Sequence, residues 1–345
     1  MLLLTALYDR SSTADVHKGT SAARGLAGPD DCGRVLLRTD APLNRQSDHV
    51  VPPQDLKGVL VTLAGAAALG VVSLASLSAG PQSSSLRGLD PQPSSALDDA
   101  RWAFYNARYG SAAALARDQC MADIDSLPAC ELRTAALLLQ IRRAMGDSPH
   151  TDAAWKRCIA CPALLAEFDA TLAHARAGAR ARLRAVPQDD ETLFLLGKLD
   201  LNYVWLQLGT LGHKTGWAEY WEARRSLDTV LTRQPGHVRA RVARGWIDYI
   251  VDTKMRRGTR WLLGGGNKTR GLAAIRSAAV TDADFFTRAE AVFALWDMQV
   301  RERDFAGAVT TAHLLLIDFP DNQDLKRFVD QRRVDEATGA AASTN

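Results

Sequence analysis

Two cysteine pairs carry the clearest chemistry in this chain. Cys158-Ile-Ala-Cys161-Pro162 places two thiols three residues apart, just ahead of a proline suited to the first turn of a helix. A thiol there would lie near the positive end of the helix dipole, which favours the thiolate. A redox CxxC motif sits after a strand in a thioredoxin-like unit, and no strand is legible here. The pair therefore reads as a disulfide of an exported chain. Cys120 and Cys130 flank an inter-helix turn and read the same way. Four cysteines allow three pairings, and spacing alone does not choose among them. A four-cysteine zinc site would use the Cys158/Cys161 spacing, but Cys120 and Cys130 stand too far apart for the second knuckle, so no metal is expected.

Three tryptophans, Trp205, Trp246 and Trp296, recur among hydrogen-bonding neighbours: Asn202, Asp248, Tyr249, Asp252 and Asp297. Large aromatics beside polar groups are the usual makings of a recognition groove. The competing reading is that the rings are core and the acids are paired, as Arg244 and Asp248 at i,i+4 allow. Carboxylates at Asp248 and Asp252, or at Asp297 and Glu290, also suggest a general acid and base. Desolvation of one acid beside another would favour that chemistry, whereas pairing with Arg239, Arg241 or Arg244 would favour structure.

The run Gly264-Gly265-Gly266-Asn267-Lys268-Thr269-Arg270 leads into a helix, whose backbone amides could hold an anion. It is not a P-loop, because Asn267 and Leu262 stand where that motif requires glycine. The plainer reading is a tight turn with Asn267 as N-cap. His150, His174, His213, His237 and His313 are scattered, with no HExxH, CxxCH or GxSxG frame, so neither a catalytic centre nor a cofactor is expected.

The chain that must position these residues has 345 residues, is 47% hydrophobic and carries a net charge of +3, enough apolar content for a sizeable core. So small a net charge gives no reason to expect a nucleic-acid partner. From Gly58 to Gly80 the sequence is uncharged and long enough to span a membrane, with Lys57 before it and a Ser-rich stretch after it. Residues 57–80 are expected to be a signal peptide or a single transmembrane anchor, the chain's one membrane contact. Arg38, Arg45 and Lys57 on the leading side put that side in the cytoplasm and the rest in the periplasm or outside. Residues 1–56 lack apolar periodicity and read as a disordered extension or a misassigned start. Residues 81–95 read as a linker, 96–335 as the folded domain and 336–345 as a disordered tail.

Within the folded part, apolar residues recur at helical spacing. Leu97, Trp102, Tyr105 and Tyr109, then Ala112, Leu115 and Ala116, predict two short helices turning near Gly110. Cys130 to Met145 pairs with Pro162 to Val186, and Thr192 to Gln207 pairs with Trp217 to Arg233. Val238 to Val251 opens another pair. Thr287 to Arg303 pairs with Phe305 to Asp318, and Leu325, Phe328 and Val329 form a short capping helix. Prolines 187, 235 and 320 punctuate the series.

Leu196-Gly197 with Tyr203 in one helix, and Ala308 twelve residues before Pro320 in another, resemble the tetratricopeptide (TPR) repeat. The resemblance implies an all-α, right-handed solenoid of antiparallel helix pairs, enlarged by inserts at Leu208–Tyr220 and Met255–Asn267, whose first helices line a concave face. It also implies a cell-envelope scaffold that binds a protein segment, or a small molecule, on that face. The glycine run and the basic helix start after it resemble loops of helical-repeat accessory proteins of TRAP-type transporters, which gives an alternative role.

Overall fold

The computed structural model describes residues 95–122, 126–146, 150–255 and 257–342, with side chains described up to residue 335 and none at 257. The hydrophobic segment at 57–80, the extension before it and all but the last residue of the linker lie outside the described residues. Among the described residues there is helix and no strand, and no single helix is long and apolar enough to cross a membrane.

The described residues form thirteen α-helices: α1 (Ala96–Tyr105), α2 (Tyr109–Ala122), α3 (Leu127–Met145), α4 (Thr151–Arg157), α5 (Cys161–Ala185), α6 (Asp190–Val204), α7 (Trp217–Arg233), α8 (Val238–Lys254), α9 (Arg257–Arg260), α10 (Lys268–Ala279), α11 (Phe285–Arg301), α12 (Phe305–Asp318) and α13 (Gln323–Ala342). A π-helical turn, Trp205–Leu211, continues α6, and a 3₁₀ turn, Trp261–Leu263, continues α9. Local chemistry sets many of the starts. The side chains of Ser95, Asp189, His237, Asn267, Asp284 and Asp304 each accept the amide hydrogen three residues on, capping α1, α6, α8, α10, α11 and α12. Pro128 and Pro162 stand in first turns, where no amide donor is missed.

Several boundaries differ from the sequence expectation. The first turn falls at Asn106–Arg108 rather than Gly110, with Ala107 in the left-handed region at φ 58° and Gly110 already inside α2. Asn106 makes this possible by donating its side-chain amide to the Trp102 carbonyl, closing α1. The last helix is not short: α13 runs through residue 335 to Ala342.

Five pairs of helices lie in contact: α1/α2, α3/α5, α6/α7, α8/α10 and α11/α12. Each also packs on the next pair, through α2 on α3, α5 on α6, α7 on α8 and α10 on α11. The series then closes on itself. Asn322 donates to the Tyr105 carbonyl at 2.7 Å, the Asp321 amide donates to Asn106 at 3.1 Å, and Arg143 pairs with Asp324 at 2.6 Å. Beneath those bonds Trp102, Tyr105, Phe285, Phe286, Phe293 and Phe319 pack ring against ring, with centroids 5.1–6.1 Å apart. Aromatic pairs in such offset and tilted arrangements gain beyond their buried area. This cluster joins α1 to α11 and α12, so the first and last pairs are neighbours.

One crossing is unusually close. Gly245 on α8 faces Gly271 on α10, and a Cβ on Gly271 would lie 2.5 Å from the Gly245 carbonyl oxygen. Two glycines let these backbones touch where any side chain would separate them.

Candidate functional site

Closing the series turns the first helix of every pair inward. A cleft of about 460 Å³ opens between them, lined by α1, α3, α6, α8 and α11, a size typical of small-ligand sites. Its apolar wall is made by Phe104, Tyr105, Leu132, Leu201, Trp205, Val242, Trp246 and Phe286. None of its lining comes from the inserts at 208–220 or 255–267.

The polar part of the cleft is a square of alternating charge. Lys198 on α6 donates to Glu290 on α11 at 2.8 Å and stands 3.6 Å from Glu131 on α3. Arg239 on α8 donates to Glu290 at 2.6 Å and to Glu131 at 3.2 Å. With the two cations on one diagonal and the two anions on the other, the square ties four of the five first helices together, across sequence gaps of 51 to 108 residues. The carboxylate side chains are 7% exposed and the cations 14% and 18%. Burial alone would raise the Glu290 pKa, but Arg239 and Lys198 outweigh it and hold the carboxyl well below its usual range. By the same balance, burial disfavours the charged forms of Lys198 and Arg239, and the two glutamates more than restore them. Arg239 also lies over the Phe194 ring, 4.8 Å from its centroid.

The residues proposed from sequence divide into two groups. Asn202, Trp205 and Trp246 line the cleft. Asn202 is fixed there by donating to Thr134 Oγ1 at 2.9 Å and, more weakly, to the Glu131 carbonyl. Asp248, Tyr249, Trp296 and Asp297 do not line it. Asp248 faces α10, where Arg270 binds both its oxygens at 2.8 Å and Arg244 approaches to 2.5 Å. Burial would raise the Asp248 pKa, yet those two guanidinium groups keep it lowered. The Tyr249 hydroxyl donates to Glu302. Trp296 packs edge-on to Phe328 in the core. Asp297 sits two turns beyond Glu290 on the same stripe of α11, where the cleft has ended, and is wholly buried against Arg301 at 3.1 Å. There burial dominates and raises its pKa despite that arginine.

The alternative acid–base pairs are likewise each spoken for by cations. Asp252 pairs with Arg260 and accepts the Lys268 amide, while Glu290 belongs to the ion square. That amide hydrogen bond also corrects the reading of Gly264, Gly265, Gly266 and Lys268 as an anion site. The Asp252 carboxylate already stands at the start of α10, and the Lys268 ammonium is paired with Glu302 at 2.6 Å. The loop presents carbonyls instead of amides: Leu263, Gly264 and Gly265 all accept from the Arg224 guanidinium. Asn267 caps α10, as its sequence position suggests.

The cysteines form two disulfides, Cys120–Cys130 and Cys158–Cys161, which selects one of the three pairings. All four sulfurs are thereby committed, and no group of ligating side chains is assembled for a metal among the described residues.

Glu131, Lys198 and Arg239 escaped the sequence reading as site residues. Each is a charged residue in an amphipathic helix, where solvent is the ordinary destination, and only closure of the ring brings them together. The available signal was their position: all three lie in first helices of pairs, on the stripe that also carries apolar residues. No protein-family model, curated protein or solved structure matches the chain.

Proposed function

We propose that this chain is an exported, non-enzymatic binding protein built as a closed TPR-like array, and that it holds a small molecule or a short chain segment in the central cleft. The observation that carries this reading is the cleft itself. It is apolar and aromatic on its walls, charged at its centre, and free of the chain's own inserts. A cavity whose only role was structural would gain by filling itself with side chains, because unfilled apolar volume costs stability.

The inward placement of the first helices supports kinship in architecture with TPR arrays, whose right-handed winding is part of the proposal. The two disulfides support an oxidising compartment, in keeping with a signal or anchor at 57–80. Binding is favoured over catalysis because the acids that could form dyads each pair with an arginine or lysine and not with one another.

The test is to purify the full chain from its native host and identify what leaves it on denaturation by mass spectrometry, beside an Ala243→Phe variant. Ala243 is buried in the cleft wall, so the added ring fills the space while helicity is checked by circular dichroism. A compound or peptide retained by the native chain and lost from the folded variant is expected. Equal retention by both would place binding elsewhere and overturn the reading.

A further inference from the structure

The inserts at 208–220 and 255–267 enlarge the array without lining its cleft, and they are fastened to each other. The Tyr220 hydroxyl donates to the Leu263 carbonyl at 2.8 Å. One turn on, the buried Arg224 guanidinium donates to the carbonyls of Leu263, Gly264 and Gly265 at 2.6–3.1 Å. Gly264 and Gly265, both at positive φ, reverse the chain there, and the Leu263 side chain is buried beneath. The turn is therefore held firmly from below. What it presents outward is apolar: Trp261 is 73% exposed and its neighbour Leu262 53%. Trp217, also exposed, opens α7 one turn before Tyr220. A lone exposed leucine is ordinary, but an indole and a leucine side by side, fixed outward by four hydrogen bonds, make a small patch that needs a purpose.

The charge around this turn has one sign. From Thr253 to Thr281 the sequence carries seven lysines and arginines and no acid. Acids outside the run engage three of them, Arg260 with Asp252, Lys268 with Glu302 and Arg270 with Asp248. Arg256 and Arg257 come just before the turn in the sequence. An indole, a leucine and adjoining arginines suit the bilayer interface, where the ring sits at headgroup level and the cations meet lipid phosphates. A protein partner is a poorer match in size. An indole buries at most about 250 Å², whereas a stable protein interface takes about 800 Å² from each side.

We propose that the Trp261–Leu262 turn is a second membrane contact of this chain, beyond residues 57–80, and that it docks on an anionic lipid surface. Trp261 and Leu262 enter the interface, and the arginine-rich sequence before them supplies the attraction to lipid phosphates. The uncharged run ends at Gly80 and α1 starts at Ala96, so a chain held in a bilayer by that run has its folded domain on a tether of about 50 Å at full extension. Such a tether raises the effective concentration of the turn at the surface. This contact is independent of what the cleft holds.

The experiment compares tryptophan fluorescence of the full chain and of Trp261→Phe on vesicles of phosphatidylcholine alone or mixed with phosphatidylglycerol, each with and without brominated acyl chains. Bromine quenches indoles that reach the acyl region. Trp261 is exposed, so the phenylalanine keeps the fold, checked by circular dichroism, and the difference between the two proteins is the emission of Trp261. Each arginine near an anionic surface favours the bound state about fivefold, and salt screens the effect. Quenching of the Trp261 emission is therefore expected to be at least about threefold greater on anionic than on neutral vesicles, and to fall in high salt. Arg256→Glu combined with Arg257→Glu should erase the difference between the two vesicles. Equal quenching of Trp261 on both, or none on either, would overturn the contact. Flotation with neutral vesicles reports separately on residues 57–80, so failure of the anchor reading and failure of this one are told apart.

Discussion

Two buried carboxylates behave in opposite ways, and the difference lies in what faces them. Glu290 is held ionised by Lys198 and Arg239, so replacing it leaves two cations facing Glu131 alone. Glu290→Gln is expected to lower stability by about 3–5 kcal/mol in urea unfolding, the range for breaking one side of a buried pair. A loss under about 1 kcal/mol would mean that the square does not brace the ring. Asp200 on α6 is fully buried with Arg176 2.5 Å away, but burial outweighs that arginine, Glu222 adds like charge, and the pKa is pushed up to about 7. The unfolded carboxyl titrates near 3.9. The native state therefore keeps a proton that the unfolded state has released, and the resulting stability is full below about pH 4 and lost as pH rises through about 7. Between pH 5 and 8 the native chain should lose on the order of 2–3 kcal/mol relative to Asp200→Asn, read as the difference between their unfolding free energies. Parallel pH profiles for the two proteins would contradict this.

Helices were largely legible one at a time, because their starts and stops are written in local chemistry. Trp217–Arg233 and Phe305–Asp318 coincide with the sequence expectation at both ends, as amphipathic runs bounded by turn residues should. The turn after α1 was misplaced because Gly110 suggested a break, whereas the break is made by Ala107 at positive φ with Asn106 closing the helix. The glycine contact between α8 and α10 was illegible for the opposite reason. Gly245 and Gly271 look like weaknesses within helices until the two backbones are seen to touch. Gly271→Ala should cost about 1–3 kcal/mol, because overpacking at a backbone contact exceeds the gain in helix propensity. Gly110→Ala, whose Cβ would meet nothing closer than 3.7 Å, should be neutral or stabilising by up to about 1 kcal/mol. Denaturant midpoints for this pair check the claim by sign, and a Gly271→Ala protein at least as stable as the parent would refute the close crossing.

At the scale of the whole molecule, sequence supplied the helix pairs but not their closure. Three residues of the expected groove, Asn202, Trp205 and Trp246, do face the cleft. The other four fell outside because helical periodicity says which residues share a stripe and not where along the helix the cleft ends. Contacts between Tyr105 and Asn322, or Arg143 and Asp324, join residues about two hundred positions apart, and nothing local announces them. The disulfides are buried in the core, fastening α2 to α3 and closing the turn before α5. Removing Cys120–Cys130 by double alanine substitution should cost about 3 kcal/mol, and removing Cys158–Cys161, which closes a shorter loop, about 2 kcal/mol. Neither change should affect ligand retention, and thermal unfolding beside the mass-spectrometric assay separates the two effects.

The most direct test of the central claim, that the cleft between the first helices is where this protein binds, is backbone hydrogen exchange of the full chain with and without a small-molecule extract of its native host. Slowed exchange should concentrate in peptides from α3, α6 and α8, which supply most of the cleft wall. Unchanged exchange there, or protection confined to α12 and α13, would contradict the account.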